Sequence, residues 1–197
     1  MTSLETRTAR GQARRAELLD ELVTLVLAEG FAAFTLDELA RRLHCSKTTL
    51  YGIAASKEQL VVAAVKRFFQ RATTVVEERA AVPADHRERI SAYLLAVAEQ
   101  LQPASATFFA DVAAFLPARE IYQRNTRSAA ARVQQLVREG VAAGTIRPVH
   151  PSFVGVAVAA VMSAIHRGDV TAATGLDDAA AYRELADLVV AGIAPPR

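Results

Sequence analysis

Between Thr35 and Lys57 the chain sets short hydroxyls, two ammonium groups and a phenol at close intervals: Thr35, Ser46, Lys47, Thr48, Thr49, Tyr51 and Lys57. Side chains of these types donate hydrogen bonds and positive charge, which suits holding a polyanion rather than breaking bonds. Arrangements that would catalyse are missing. His44, His86, His150 and His166 are scattered without metal-ligand spacing, and the sequence has no HExxH, P-loop, dinucleotide fingerprint or GxSxG. Cys45, the single cysteine, has no activating neighbour in sequence and reads as a small buried hydrophobe. The chain is therefore expected to have no catalytic residue, no metal and no cofactor, and not to be an enzyme.

The charge distribution points the same way. The net charge is only +2, but Arg7, Arg10, Arg14 and Arg15 fall in one acid-free stretch, and Arg41, Arg42, Lys47 and Lys57 in another. Residues 58–197 are nearly balanced, with 15 basic and 14 acidic side chains. Two basic segments on a neutral background suggest a polyanion-binding face, although short charge runs are also the ordinary dress of a solvated helix. The polar N-terminus has no signal-peptide pattern, and one cysteine offers no disulfide framework, so a reducing cytoplasm fits. The longest apolar run, Phe153 to Ile165, is shorter than the roughly 20 residues that span a bilayer, so no membrane partner is expected.

The elements that must position these groups are helices. Leu18, Leu22, Leu25 and Val26 form an apolar stripe that predicts a helix from about Gly11 to Ala28, stopped by Gly30. Thr35-Leu36-Asp37-Glu38 is a capping box for a short helix to Leu43; Ser46 is an N-cap for another, ending near Gly52. Ser56-Lys57-Glu58-Gln59 is a second capping box and opens a long helix toward Ala81. Helical segments follow at about 85–102, 104–116 and 118–143, divided by Pro103 and Pro117, and then from Pro151 to about Arg167. A loop from Gly168 to Gly175 leads to a last helix, about Asp177 to Ile193, and a frayed tail, Pro195-Pro196-Arg197. The fold class is all-α, with about nine helices.

The segment TLDELARRLHCSKTTLYGIAASK reads as helix, tight turn, short helix. Leu36, Leu39, Ala40, Leu43, Cys45, Leu50 and Tyr51 are expected to pack inward. Ser46, Lys47, Thr48 and Thr49 then stand at the leading end of the second helix, the end that a helix-turn-helix points into a major groove. His44 takes the corner, where a residue that tolerates positive φ is required.

From about residue 11 to 62 the sequence resembles the tetracycline-repressor family. The resemblance rests on Phe31, Phe34-Thr35, Glu38-Leu39-Ala40, Ser46-Lys47, Thr49-Leu50-Tyr51 and Ser56-Lys57-Glu58, with Leu60 behind. It implies a helix-turn-helix DNA-binding domain over 1–57 and a helical ligand-binding and dimerisation domain over 58–197. It further implies a homodimer on a pseudo-palindromic, double-stranded DNA operator, released by a small hydrophobic effector. Thr35 and Lys57 match phosphate contacts, Ser46, Lys47 and Thr48 match groove-facing positions, and Thr49 and Tyr51 match backbone contacts. Arg14, with Arg7 and Arg10, would act as an N-terminal arm. Gly52-Ile53-Ala54-Ala55 departs from the family pattern, in which aromatic or histidine residues follow the tyrosine. That departure leaves open a helical ligand-binding dimer that has lost DNA binding.

The remainder is read more coarsely. The helix after Pro151 is apolar nearly all round and must be covered on most faces, by a second subunit or by the core of a monomer. The resemblance favours the subunit, with Val154, Val158, Val161 and Ile165 joined by Leu185 and Val189 of the last helix. A ligand pocket is implied among the central aromatics: Phe68, Tyr93, Phe108, Phe109 and Phe115, with Val112, Met162 and His166. Ordinary core packing is the alternative for each of these, and a surface or capping role for His166.

Overall fold

Ten helices and no strand make up residues 3–195, the part described in this computed structural model; side chains are described from Gly11 onward. They are α1 (Ser3–Glu29), α2 (Leu36–Arg42), α3 (Lys47–Tyr51), α4 (Lys57–Ala81), α5 (His86–Leu101), α6 (Ala106–Ala114), α7 (Leu116–Ala142), α8 (Pro151–His166), α9 (Asp169–Thr174) and α10 (Asp178–Ile193). The all-helical architecture agrees with the sequence pattern. Two details differ. The first helix begins at Ser3 rather than near Gly11, through a stretch without proline and rich in good helix formers. The expected 168–175 loop contains α9, six residues bracketed by Gly168 and Gly175, both at φ 76°. The side chains of Arg7 and Arg10, and the tail residues Pro196 and Arg197, lie outside the described residues.

Side-chain caps start most of these helices where the sequence placed them. The hydroxyls of Thr35, Ser46 and Ser105 accept from the amides of Glu38, Thr49 and Phe108, and the Asp85 and Asp177 carboxylates do the same for α5 and α10. His150 Nδ1 caps α8 by accepting from Phe153 N, with Pro151 in the first turn.

The chain divides into two compact units: residues 1–70 with 104–121, and residues 71–103 with 122–197. The sequence-based boundary at 57/58 falls at the start of α4. In the first unit, Leu18, Leu22 and Val26 of α1 are buried, as are Leu39, Leu50, Leu60 and Phe108. α6 is fastened to the end of α1. Ser105 N donates to Leu27 O at 2.8 Å, and Asp111 Oδ2 accepts from Phe31 N at 2.5 Å and Ala32 N at 2.8 Å. Gly30, at φ 77°, makes this possible, because its αL backbone turns two successive amides toward one carboxylate.

In the second unit α10 packs on α5 and α8. Tyr182 is fully buried, and its hydroxyl is 2.9 Å from His166 Nε2. Tyr122 meets the same imidazole edge-on at 4.9 Å. Burial pushes the His166 imidazole down to about 4. Burial, with the charge of Glu77 adding to it, pushes the Tyr93 phenol up to about 12. Arg132 Nε donates to both Glu77 carboxylate oxygens, at 3.1 and 3.0 Å. One surface of the unit remains apolar: Phe153 and Val156 of α8 and Leu188 of α10 are 73%, 68% and 72% exposed.

Candidate nucleic-acid interface

The α2–α3 pair is set by local chemistry. Leu39, Ala40, Leu43 and Leu50 are buried and hold the two short helices together. The turn closes through Cys45 N donating to Ala40 O at 2.9 Å. His44 carries the turn at φ 48° and is the one non-glycine residue with positive φ among the described residues, as the corner requires. Burial pushes the Cys45 thiol up, away from the thiolate, in keeping with a packing role.

Ser46 caps α3, its hydroxyl 3.1 Å from Thr49 N and 2.9 Å from Thr49 Oγ1. Ser46, Lys47 and Thr48 are exposed at the leading end of the helix, and Thr49 is half-buried beside them. Tyr51 is 53% exposed, which corrects the expectation that it packs inward: Leu50 fills the core position, and the next residue of a helix points about 100° away. Thr35 is exposed at the start of α2, and its hydroxyl hydrogen stays available while the oxygen accepts from Glu38 N. The anticipated capping box is half-formed there, since the Glu38 carboxylate lies 3.6 Å from Arg41.

The cations are arranged in ways the sequence did not reveal. Lys47 Nζ is 2.5 Å from Asp37 Oδ1 on α2. Lys57 Nζ donates to Ala32 O at 2.8 Å, the same turn that Asp111 holds. Arg14 lies 3.3 Å from both Glu17 and Glu21, and its hydrogen bond to Glu17 raises its pKa. Arg42 is paired with Glu29 and Arg67 with Asp20. These pairs are exposed or half-exposed, so solvent screens them and they add little to the stability of the fold.

The aromatics assigned to a pocket divide between the units. Phe68, Phe108, Phe109, Val112 and Phe115 belong to the first. There Phe108 is fully buried, with its ring centroid 6.4 Å from that of Phe68 and 5.6 Å from that of Phe109. Phe115 packs at 6.0 Å on Phe31 and lines a small cavity of about 210 Å³ with Lys57 and Asp111. Tyr93, Met162 and His166 belong to the second unit, where Tyr93 and Met162 are buried and His166 is mostly so.

Of the residues assigned to a dimer contact, Val158, Ile165 and Leu185 are buried within the protomer, so they have no side-chain surface left to give a partner. Val154, Val161 and Val189 retain surface and line a groove of about 430 Å³ between α8 and α10. The exposed apolar residues Phe153, Val156 and Leu188 were missed, because sequence period marks an apolar face but not which part of it the protomer itself covers.

Comparison with known proteins agrees with this geometry. The family described as bacterial regulatory proteins, tetR family, matches residues 18–64. A curated relative, the DNA-binding transcriptional repressor TetR of Mycobacteroides abscessus, is 37% identical over 57 residues, 29% of this chain and 30% of that protein. The match thus spans about a third of that relative's length. Solved structures share the fold over nearly the whole chain. A Saccharomonospora viridis protein in complex with choline has a TM-score of 0.76 at 16% identity, covering 94% of this chain and 100% of that one. A TetR-family transcriptional regulator from Cytophaga hutchinsonii has 0.74 at 15% identity, covering 95% and 98%. These are all-helical proteins with a helix-turn-helix at the N-terminus. Over residues 18–64 this chain is thus similar to the tetR family of bacterial regulatory proteins, and over nearly its whole length it shares the fold of these solved structures.

Proposed function

We propose that this protein is a DNA-binding transcriptional regulator of repressor type that binds a pseudo-palindromic operator as a homodimer and is released by a small hydrophobic effector. The observation that carries this reading is the leading end of α3: Ser46, Lys47 and Thr48 are exposed together on a helix whose Leu50 is locked in the core. A helix braced in this way presents side chains to base edges at little ordering cost. Thr35 and Tyr51 flank that end as phosphate contacts. Lys57 acts mainly on the turn at Ala32, with its remaining donors turned to DNA.

Dimerisation is supported by the surface on α8 and α10, where Phe153, Val156 and Leu188 have no cover in the protomer. Two reading helices related by two-fold symmetry address a pseudo-palindromic duplex about 34–36 Å apart, or a multiple of that. An effector class is supported by the apolar interiors and by the polar trio of Tyr122, His166 and Tyr182 in the second unit. The S. viridis relative, solved with choline, is an instance of this fold with a small molecule bound.

The test is selection of bound fragments from genomic DNA, followed by a gel shift with competitor. A discrete complex that survives competitor, and that Lys47→Ala and Tyr51→Ala each abolish while the dimer persists, is the expected result. Absence of any discrete complex would leave a ligand-binding dimer without DNA function.

A further inference from the structure

The two arginines at the start of the described side chains have different fates. Arg14 is occupied by Glu17 and Glu21. Every other cation from residue 14 to 57 except Arg15 also has a partner: Arg41 with Glu38, Arg42 with Glu29, Lys47 with Asp37, and Lys57 with Ala32 O. Arg15 has none among the described residues and is exposed. Its guanidinium is also set beside the reading helix. A Cβ added at Gly52, the C-cap of α3, would lie 3.6 Å from Arg15 Nη2. Gly52 is itself exposed and carries no side chain that could cover that guanidinium.

We infer that Arg15, and not Arg14, is the arginine of α1 that clamps a DNA phosphate, standing next to Gly52 at the far end of α3. The inference rests on the DNA-binding reading above. Position 52 offers no side chain of its own to the backbone of the duplex, and the space it leaves is held by a fork of five donors with no competing carboxylate. Arg15 thereby fixes where the trailing end of α3 rests, while Ser46, Lys47 and Thr48 address the groove at the other end. A guanidinium placed there only to complement the carbonyl end of α3 would have no part in counterion release, and this difference makes the assignment testable.

The experiment uses the full-length protein and a pool of labelled mixed-sequence duplexes, with the dissociation constant measured across a series of KCl concentrations. One lost phosphate contact per subunit lowers the slope of log K against log[salt] by about 0.9, or about 1.8 for a dimer. Arg15→Gln is expected to lower the slope by that amount, Arg15→Lys to restore most of it, and Arg14→Gln to leave it at the wild-type value. Circular dichroism of each variant checks that the helices are retained. An Arg15→Gln protein that binds with the wild-type slope, whether or not its affinity falls, overturns the assignment, as does an Arg14→Gln protein that shows the larger drop. Wild-type protein without salt-dependent binding overturns the DNA-binding reading itself, and this one with it.

Discussion

Replacing Gly30 with alanine tests how the turn into α2 is built. The new Cβ would stand 2.5 Å from Asp111 Oδ2 and 2.7 Å from Thr107 Cγ2, on a backbone at φ 77°. The left-handed conformation costs an L-residue about 1–2 kcal/mol. A carboxylate oxygen can ordinarily swing aside, but this one is held by Phe31 N and Ala32 N, so moving it breaks two charge-assisted hydrogen bonds. The Ala32 amide is exposed and recovers a water; the Phe31 amide is partly buried, and its loss contributes about 1.5–3 kcal/mol. Gly30→Ala is therefore expected to destabilise the protein by about 2.5–5 kcal/mol, and Asp111→Ala by about 1.5–3 kcal/mol. In the double variant the clash with the carboxylate is gone, so the two effects should fall short of additive by about the value of the shared bonds. Urea denaturation followed by circular dichroism measures all three. A Gly30→Ala protein destabilised by less than about 1 kcal/mol, or strictly additive effects, would refute the idea that the turn is wrapped around Asp111.

Three other expectations concern charge and surface. Asp37→Asn frees Lys47 from its 2.5 Å ion pair, and should tighten DNA binding at low salt by roughly fivefold, the equivalent of about 1 kcal/mol, as read by fluorescence anisotropy. The folded-state imidazole of His166 titrates at about 4 against an ordinary 6.5, so the unfolded chain takes up its proton first as pH falls. The stability that neutral His166 allows is complete above pH 6.5 and is lost as pH drops toward 4, by up to about 3 kcal/mol; a His166→Gln protein should show a correspondingly shallower acid loss in denaturation midpoints. Phe153→Asp combined with Leu188→Asp places charges on the uncovered face of α8 and α10 and should yield a folded monomer by sedimentation velocity.

Features controlled by near neighbours could be read from the chain alone. Thr35, Ser46 and Ser56 each mark a helix start because the cap is a contact three residues long, and His44 at the corner follows from the positive φ that a tight turn demands. What escaped was set over distance. Asp111 meets Phe31 across 80 residues, and nothing in the spacing of either marks the other. The partners of Lys47 and Lys57, and the choice between Arg14 and Arg15, depend on which helix faces which, a matter that periodicity leaves undetermined. Buried and uncovered apolar residues on α8 look alike in sequence, so Val158 and Phe153 could not be told apart as inner and outer. α9 is too short to show a period, and its two glycines read equally well as a loop.

The first compact unit is written in two pieces, residues 1–70 and 104–121, with a third of a hundred residues of other material spliced in. A ribosome emits the helix-turn-helix early, yet the carboxylate that closes its entry turn arrives only when position 111 leaves the tunnel. Until then Gly30, Phe31 and Ala32 face water, and the nascent head waits incomplete. The same arrangement governs domain grafting: a chimaera cut at residue 57 carries the groove-reading helices away from their clasp, whereas one that also transfers 104–121 keeps the turn and its anchor together.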